Sequence, residues 1–191
     1  WAQSFGLTTE ALANEIEAAR QELFAARNRR AQPFRDDKVI AAWNGMVISA
    51  LSQGAVILND EKLEQAAEET ADFILSKMRT PEGHLLRRWR NGEAAISAFA
   101  EDYAYVARGL LDLYHSSLDP LRLQQALDLA EILFAEFAAD GTIYTSADQQ
   151  DLPQRTSERY DGAMPSTPSV ALEVAARLAQ LTGNSQWKKR A

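Results

Sequence analysis

The chain has 191 residues, with 20 basic and 27 acidic side chains, a net charge of −7, two histidines and no cysteine. That length supports one domain with a sizeable core. The acidic balance disfavours generic binding to nucleic acid phosphates or anionic membrane surfaces, the missing thiols remove disulfides and thiolate metal sites, and two histidines are too few to favour a histidine metal site.

The sequence begins at Trp1 without a methionine or a signal-peptide pattern, and it stops at Ala191 inside a helical pattern. It reads as a piece of a longer polypeptide, cytoplasmic by default, whose ends expose faces that neighbouring sequence covers. The first predicted helix runs from Thr9 to about Arg30, with Thr8 as N-cap and Leu7 and Leu12 placed for a hydrophobic staple. Leu12, Ile16, Leu23 and Phe24 make its apolar stripe, and Arg27, Arg29 and Arg30 suit its C-terminus.

A linker from Ala31 to Lys38 holds Asp36 and Asp37, and Asp37 is placed to cap the next element. That element, Val39 to Leu58 (VIAAWNGMVISALSQGAVIL), has no charge. It reads as a helix buried nearly all round, which requires an inner layer of helices. An amphipathic helix, Glu61 to about Arg79, follows, with Leu63, Ala67, Ala71, Ile74 and Met78 at helical spacing. Inner helix followed by outer helix is the resulting unit.

In HLLRRWRNGEAAIS, Asn91-Gly92 between short runs predicts a β-hairpin. Alternation puts Arg88 and Arg90 on one face and Arg87 with Trp89 on the other. A second inner helix starts near Ala98 (FAEDYAYVARGLLDLY). Its partner opens at the cap Asp119 with Pro120 and runs to about Ala139. Asp140-Gly141 predicts another hairpin through TIYTS and LPQRTS, while Asp148 and Asp151 read as a solvated loop. The segment RYDGAMPSTPSV leads into a third inner helix, Pro168 to Leu181, ended by Gly183.

Asn44, Asp102 and Ser166 therefore open equivalent inner helices, 58 and 64 residues apart. The expected fold is an all-α, partial α/α toroid of about three helical hairpins with short β-hairpin insertions, a single domain over 1–191. Parallel inner helices start at one end, where their free amides and dipoles converge. Asp36, Asp37, Trp43, Asn44, Glu101, Asp102, Tyr103, Tyr160, Asp161 and Ser166 would gather there. Such a funnel of carboxylates, amides and aromatics suits a carbohydrate ligand. Asp102 and Asp161 are the acid–base candidates for a glycosidic bond. Asp37, Trp43, Asn44, Arg88, Glu101, Tyr103 and Ser166 are the substrate-binding candidates, with Arg88 able to grip an anionic group. His84 and His115 are expected to be structural, and Phe73, Phe134 and Phe137 to be core. There is no phosphate loop, dinucleotide fingerprint or nucleophile elbow, so no cofactor is expected.

RDDKVIAAWNGMVISAL, LLRRWRNGEA, FAEDYAYVARGLLDLY and YDGAMPSTPSVA, in that order, resemble the YyaL family, bacterial relatives of an animal spermatogenesis-associated protein. The resemblance covers nearly all of the chain. It implies an N-terminal thioredoxin-like domain outside this sequence and a helical region similar to six-hairpin glycosidases and N-acylglucosamine 2-epimerases. It places Asp37, Trp43, Asn44, Glu101, Asp102, Tyr103, Asp161 and Ser166 on the signature motifs. Epimerases of this toroid type use funnel histidines, and neither histidine here lies in an inner-helix motif. Glycosidase-like chemistry fits better than epimerisation, in both cases only within the full-length protein. The alternative is a non-catalytic scaffold that presents clients to the thioredoxin-like domain.

Overall fold

Thr8 caps the first helix as its spacing requires. Its hydroxyl accepts the Ala11 N–H at 3.1 Å, and α1 spans Thr9–Asn28. The computed structural model describes residues 1–147 and 154–191, divided into units 1–37 and 38–191. The first unit holds a 3-10 turn, Ala2–Phe5, and α1. No residue of α1 is buried, and its stripe of Ile16, Leu23 and Phe24 is open to solvent.

The second unit is a two-layer helical body. In order it contains β1 (Val39–Ile40), α2 (Ala41–Leu58), α3 (Glu61–Lys77), β2 (Leu86–Arg90), β3 (Glu93–Ser97), α4 (Ala100–Ser117), α5 (Pro120–Glu136), β4 (Ala138–Ala139), β5 (Thr142–Ile143), α6 (Thr167–Thr182) and α7 (Ser185–Arg190). Contacts between α2 and α4 climb together along both helices: Ala42 meets Asp102, Gly45 meets Tyr105, and Ser49 meets Asp112. Between α4 and the α6 region, Tyr105 meets Pro165, Arg108 meets Glu173, and Asp112 meets Arg177. Three inner helices are therefore parallel, as the sequence spacing requires of a toroid segment. Asp60, Asp119 and Asn184 cap α3, α5 and α7.

The core runs between the layers. Ile48, Ile74, Met78, Val106, Leu110, Leu111, Leu129, Leu133, Val174 and Leu178 are all fully buried. Trp187 of α7 is buried edge-on against Phe134 of α5. Phe137 packs on Tyr103, and Phe73 meets Trp89.

The small sheet has the order β1-β2-β3, antiparallel throughout, with Ile40 opposite Arg88 and Arg88 opposite Ala95. Asn91 (φ 52°) and Gly92 (φ 83°) both take the left-handed region, which a type I′ hairpin turn requires. The second hairpin turns at Asp140-Gly141, but its ladder closes after Ile143. Residues 148–153, which hold the Asp148–Asp151 loop and the first two residues of LPQRTS, lie outside the described residues.

Three expectations need correction. α3 and α5 end at Lys77 and Glu136, because Arg79 bridges Leu85 and Ala138–Ala139 pair with β5. α2 is not enclosed: Ala41, Ala42, Gly45, Ile48, Ser49, Ser52 and Ala55 are buried, whereas Trp43, Val47, Val56, Ile57 and Leu58 are exposed. An apolar pattern all round needs neighbours on every side, and this unit supplies α3 and α4. By length and composition α2 could cross a membrane; here its buried face packs on α4. Finally, the N-cap of α2 is Ile40, which offers no side-chain acceptor.

α2 and α4 touch backbone to backbone. A Cβ on Gly45 would lie 2.5 Å from the Tyr105 carbonyl carbon, and one on Gly109 would lie 2.5 Å from the Gly45 oxygen. Neither obstacle is a flexible side chain, so the helices would have to separate. Gly45→Ala should cost about 1–3 kcal/mol, the scale of core overpacking, and lower the melting temperature by several degrees. An unchanged melting temperature in a calorimetric scan would show that the seam is looser than described.

Candidate functional site

The amides at the start of α2 need an acceptor, and Ile40 has none to give. Asp102, from the first turn of α4, supplies it. Its Oδ1 accepts the Ala42 N–H at 3.0 Å, and its Oδ2 accepts the Phe99 N–H at 2.9 Å. Arg87 of β2 reaches the same Oδ2 at 3.0 Å and Glu101 Oε1 at 2.5 Å, with its guanidinium 4.9 Å from the centre of the Phe99 ring. One carboxylate thus ends two inner helices and anchors the first hairpin.

Asp102 is 0 % exposed. Burial raises its pKa, while the Phe99 amide, Arg87 and the Ala42 amide oppose that rise. Both oxygens are committed to these donors. The geometry gives Asp102 a holding role, with no solvent-facing edge for proton transfer.

Tyr103 stands on the outer side of α4. It is 2 % exposed, and its hydroxyl accepts the Leu85 N–H at 2.9 Å. Residues two apart on a helix point to nearly opposite sides, so Tyr105 faces inward where Tyr103 does not. The Tyr105 hydroxyl donates to the Pro165 carbonyl at 2.6 Å. Burial raises its pKa, Arg108 opposes, and the charges of Glu101 and Asp161 add to the rise. Tyr105 was missed in the sequence because its neighbour Tyr103 matched the motif equally well. The signal available was the period: position 105 falls in line with Arg108 and Asp112, not with Val106 and Leu110.

Asp161 precedes α6. Its Oδ1 accepts the Ser166 N–H at 2.7 Å, and its Oδ2 accepts the Ser169 hydroxyl at 3.2 Å. These bonds hold its pKa below the usual carboxylate value while it stays exposed. Ser166 is buried as the N-cap of α6. The segment leading here is fastened to the second hairpin: Thr145 N–H donates to Thr156 O at 2.7 Å, and the Ser157 hydroxyl donates to Ile143 O at 2.6 Å.

A depression of about 300 Å³ opens among Met46, Ser49, Ala50, Gln53, Tyr105, Arg108 and Pro165, between the three inner helices. Trp43, 58 % exposed, projects from the first turn of α2. Asn44 is half-buried and donates back to the Ile40 carbonyl at 2.8 Å. Deeper along the inner face, Arg108 pairs with Glu173 and Arg177 bridges Glu173 and Asp112, the last at 2.8 Å. The Ser49 hydroxyl and Gln53 also donate to Asp112.

The structure therefore sets Glu101 in the first turn of α4 and Asp161 at the N-cap of α6, with Tyr105 tying α4 to the segment before α6. Trp43, Asn44 and Ser166 sit in the opening residues of α2 and α6. Arg88 lies on the sheet face opposite Arg87, half-buried and without an ion-pair partner among the described residues. Tyr160 is 77 % exposed beside Asp161. Asp36 and Asp37 belong to the other unit. His84 pairs with Glu136, and His115 lies in the last turn of α4, away from the opening. Among the described residues no cluster of three metal-ligating side chains occurs.

No protein-family model matches the chain. It is homologous to spermatogenesis-associated protein 20 of Homo sapiens, 34% identical over 199 residues and 97% of this chain. It spans 25% of that protein's length. Its fold resembles the cellobiose 2-epimerase of Bacillus thermoamylovorans, with TM-score 0.67, 14% identity, and coverage of 83% of this chain and 44% of that one. A glycoside hydrolase family 76 mannosidase of Bacteroides thetaiotaomicron gives TM-score 0.62 at 12% identity, covering 82% of this chain and 43% of that one. Both likenesses place the chain among α/α-toroid folds of the six-hairpin glycosidase type.

Asp102→Asn keeps the shape but puts an amide against the donors Ala42, Phe99 and Arg87. Breaking a buried pair in this way costs about 3–5 kcal/mol, so the denaturant midpoint should fall sharply; a variant as stable as the parent would refute the holding role. Tyr103 gives a second check. Burial, then the charges of Glu136 and Asp102, push its pKa up to about 12 from 10.0. The unfolded chain therefore ionises first, and stability present below pH 10 is lost between about pH 10 and 12. Tyr103→Phe should remove part of that alkaline loss in urea titrations, and an identical pH profile would contradict it.

Proposed function

We propose that the shared mouth of α2, α4 and α6 binds a carbohydrate, and that in the full-length protein it performs glycosidase-like acid–base chemistry. The observation that supports this most is that Glu101 opens α4 and Asp161 holds the N-cap of α6, with the two helix starts joined by the Tyr105–Pro165 hydrogen bond. Two carboxylates at the open end of a helical ring are the minimum equipment for glycoside cleavage. The solved structures of this fold cited above include a cellobiose epimerase and a mannosidase.

In this reading Asp161, held ionised by the Ser166 amide and two serine hydroxyls, acts as base or charge stabiliser. Glu101 supplies the second carboxylate, positioned by Arg87. Asp102 sets the geometry of both neighbours from behind. Trp43 offers an exposed ring face for stacking on a sugar, and Asn44, Arg88 and Ser166 line the approach. Tyr103 faces the outer side of α4 and takes no part in the mouth. Hydrolysis needs no histidine, and both histidines lie off the mouth, so this chain's own residues favour it over epimerisation.

The ion-pair ladder of Arg108, Glu173, Arg177 and Asp112 favours a second reading. A closed network on the inner face suits a structural ring, a scaffold presenting clients to an attached thioredoxin-like domain.

Titration of the full-length protein with manno- and gluco-oligosaccharides separates the two. Carbohydrate binding predicts saturable heat that falls at least tenfold in Asp161→Asn and Glu101→Gln, with melting temperatures within about 2 °C of the parent. Absence of binding across the panel, or binding unaltered in both variants, would leave the scaffold reading.

A further inference from the structure

A second cavity, of about 430 Å³, lies on the outer side of the start of α4, between the two β-hairpins. It falls in the size range of small-molecule sites, roughly 300–1,000 Å³. It shares no lining residue with the depression between the inner helices. Its walls are the apolar surfaces of Leu85, Leu86, Ala98, Phe99 and Phe137. Set into them is a pair of titratable groups, His84 Nε2 and Glu136 Oε1, 2.7 Å apart.

The polar groups here have unused capacity. The Tyr103 hydroxyl accepts from Leu85 but donates to nothing among the described residues. The second carboxylate oxygen of Glu136 has no donor there. The hydroxyls of Ser97, Thr145 and Thr156 make no side-chain hydrogen bond within the described residues. Meanwhile the backbone around them is satisfied: Ala100 N–H donates to Thr145 O, and Thr145 N–H to Thr156 O. Ser97 and Thr156 are exposed and Thr145 is half-buried, so these hydroxyls line a space open to solvent.

We propose that this cavity is a second binding site for a neutral saccharide, separate from the mouth. A sugar ring presents an apolar face and a rim of hydroxyls, each able to donate and accept. The partly exposed surfaces of Phe99 and Leu86 match the face. The rim meets one carboxylate oxygen, which accepts, one phenol, which donates, and three hydroxyls, which do both. His84 orients Glu136 so that its second oxygen remains available. An anion is disfavoured by the Glu136 charge, and a purely apolar ligand would leave the second Glu136 oxygen and the Tyr103 hydroxyl proton unmatched.

The proposal does not require the mouth to bind sugar. It is tested by calorimetric titration of the full-length protein with mannose, cellobiose and, as the anionic control, inorganic phosphate. The expected result is saccharide binding that weakens at least tenfold in Glu136→Gln and in Thr156→Val, and that persists in the mouth variant Asp161→Asn. Crystals soaked in mannose should show a ring against Phe99. Glu136→Gln retains a partner for His84; if it fails to fold, Thr156→Val gives the same reading. Binding unaffected by either cavity variant, a soaked sugar found only at the mouth, or phosphate binding in preference to sugar would each overturn the assignment.

Discussion

A buried carboxylate is costly unless every lone pair is met. Asp102 meets that condition in a way that fixes the surroundings. Its donors come from three elements: the opening amide of α2, the cap of its own helix, and an arginine of β2. Remove any one and the others no longer compensate a charge sealed from water. The start of α2 is therefore level with the start of α4, and the first hairpin cannot lift away. α6 is brought level by other means, through the Tyr105 bond to Pro165 and the ion pairs of Arg108 with Glu173 and Asp112 with Arg177. The mouth exists because two separate devices set three helices to one height.

α4 divides the polar chemistry of the molecule. Its inward side presents Tyr105, Arg108 and Asp112 to the neighbouring inner helices, and its outward side presents Tyr103 to Phe137 and Leu85. Phe99 and Arg87 sit at the boundary. The same guanidinium that steadies Glu101 also rests on the ring that walls the outer cavity. The two spaces are thus neighbours through one side chain, although they share no lining.

Much of the fold was legible in the sequence. The alternation of apolar and amphipathic helices, the caps at Thr8 and Asp119, and the Asn91-Gly92 turn all depend on local rules, and these held. The parallel inner layer followed from the repeat. What the sequence could not supply was partner choice. Asp37 was the cap expected at the start of α2, and packing gives that place to Asp102, sixty positions beyond Ala42. Tyr103 and Tyr105 stand in one motif, and the facing of α4 decides which reaches the mouth. The exposed flank of α2 was invisible for a related reason: composition reports that a helix wants neighbours, not how many it finds. His84 and Glu136 are 52 residues apart and belong to no motif, so their pairing had no sequence signal at all.

The glycine seam between α2 and α4 bears on how the mouth could move. With no side chains interposed, these helices have no lubricating layer and no alternative notch to slip into. They form a fixed jaw. The wall carrying Asp161 is built otherwise, as an irregular stretch tied to the body by individual hydrogen bonds rather than by interlocked backbone. The exposed carboxylate of Asp161 therefore rides on a part of the rim whose attachment is a handful of hydrogen bonds, where the opposite jaw is backbone locked on backbone.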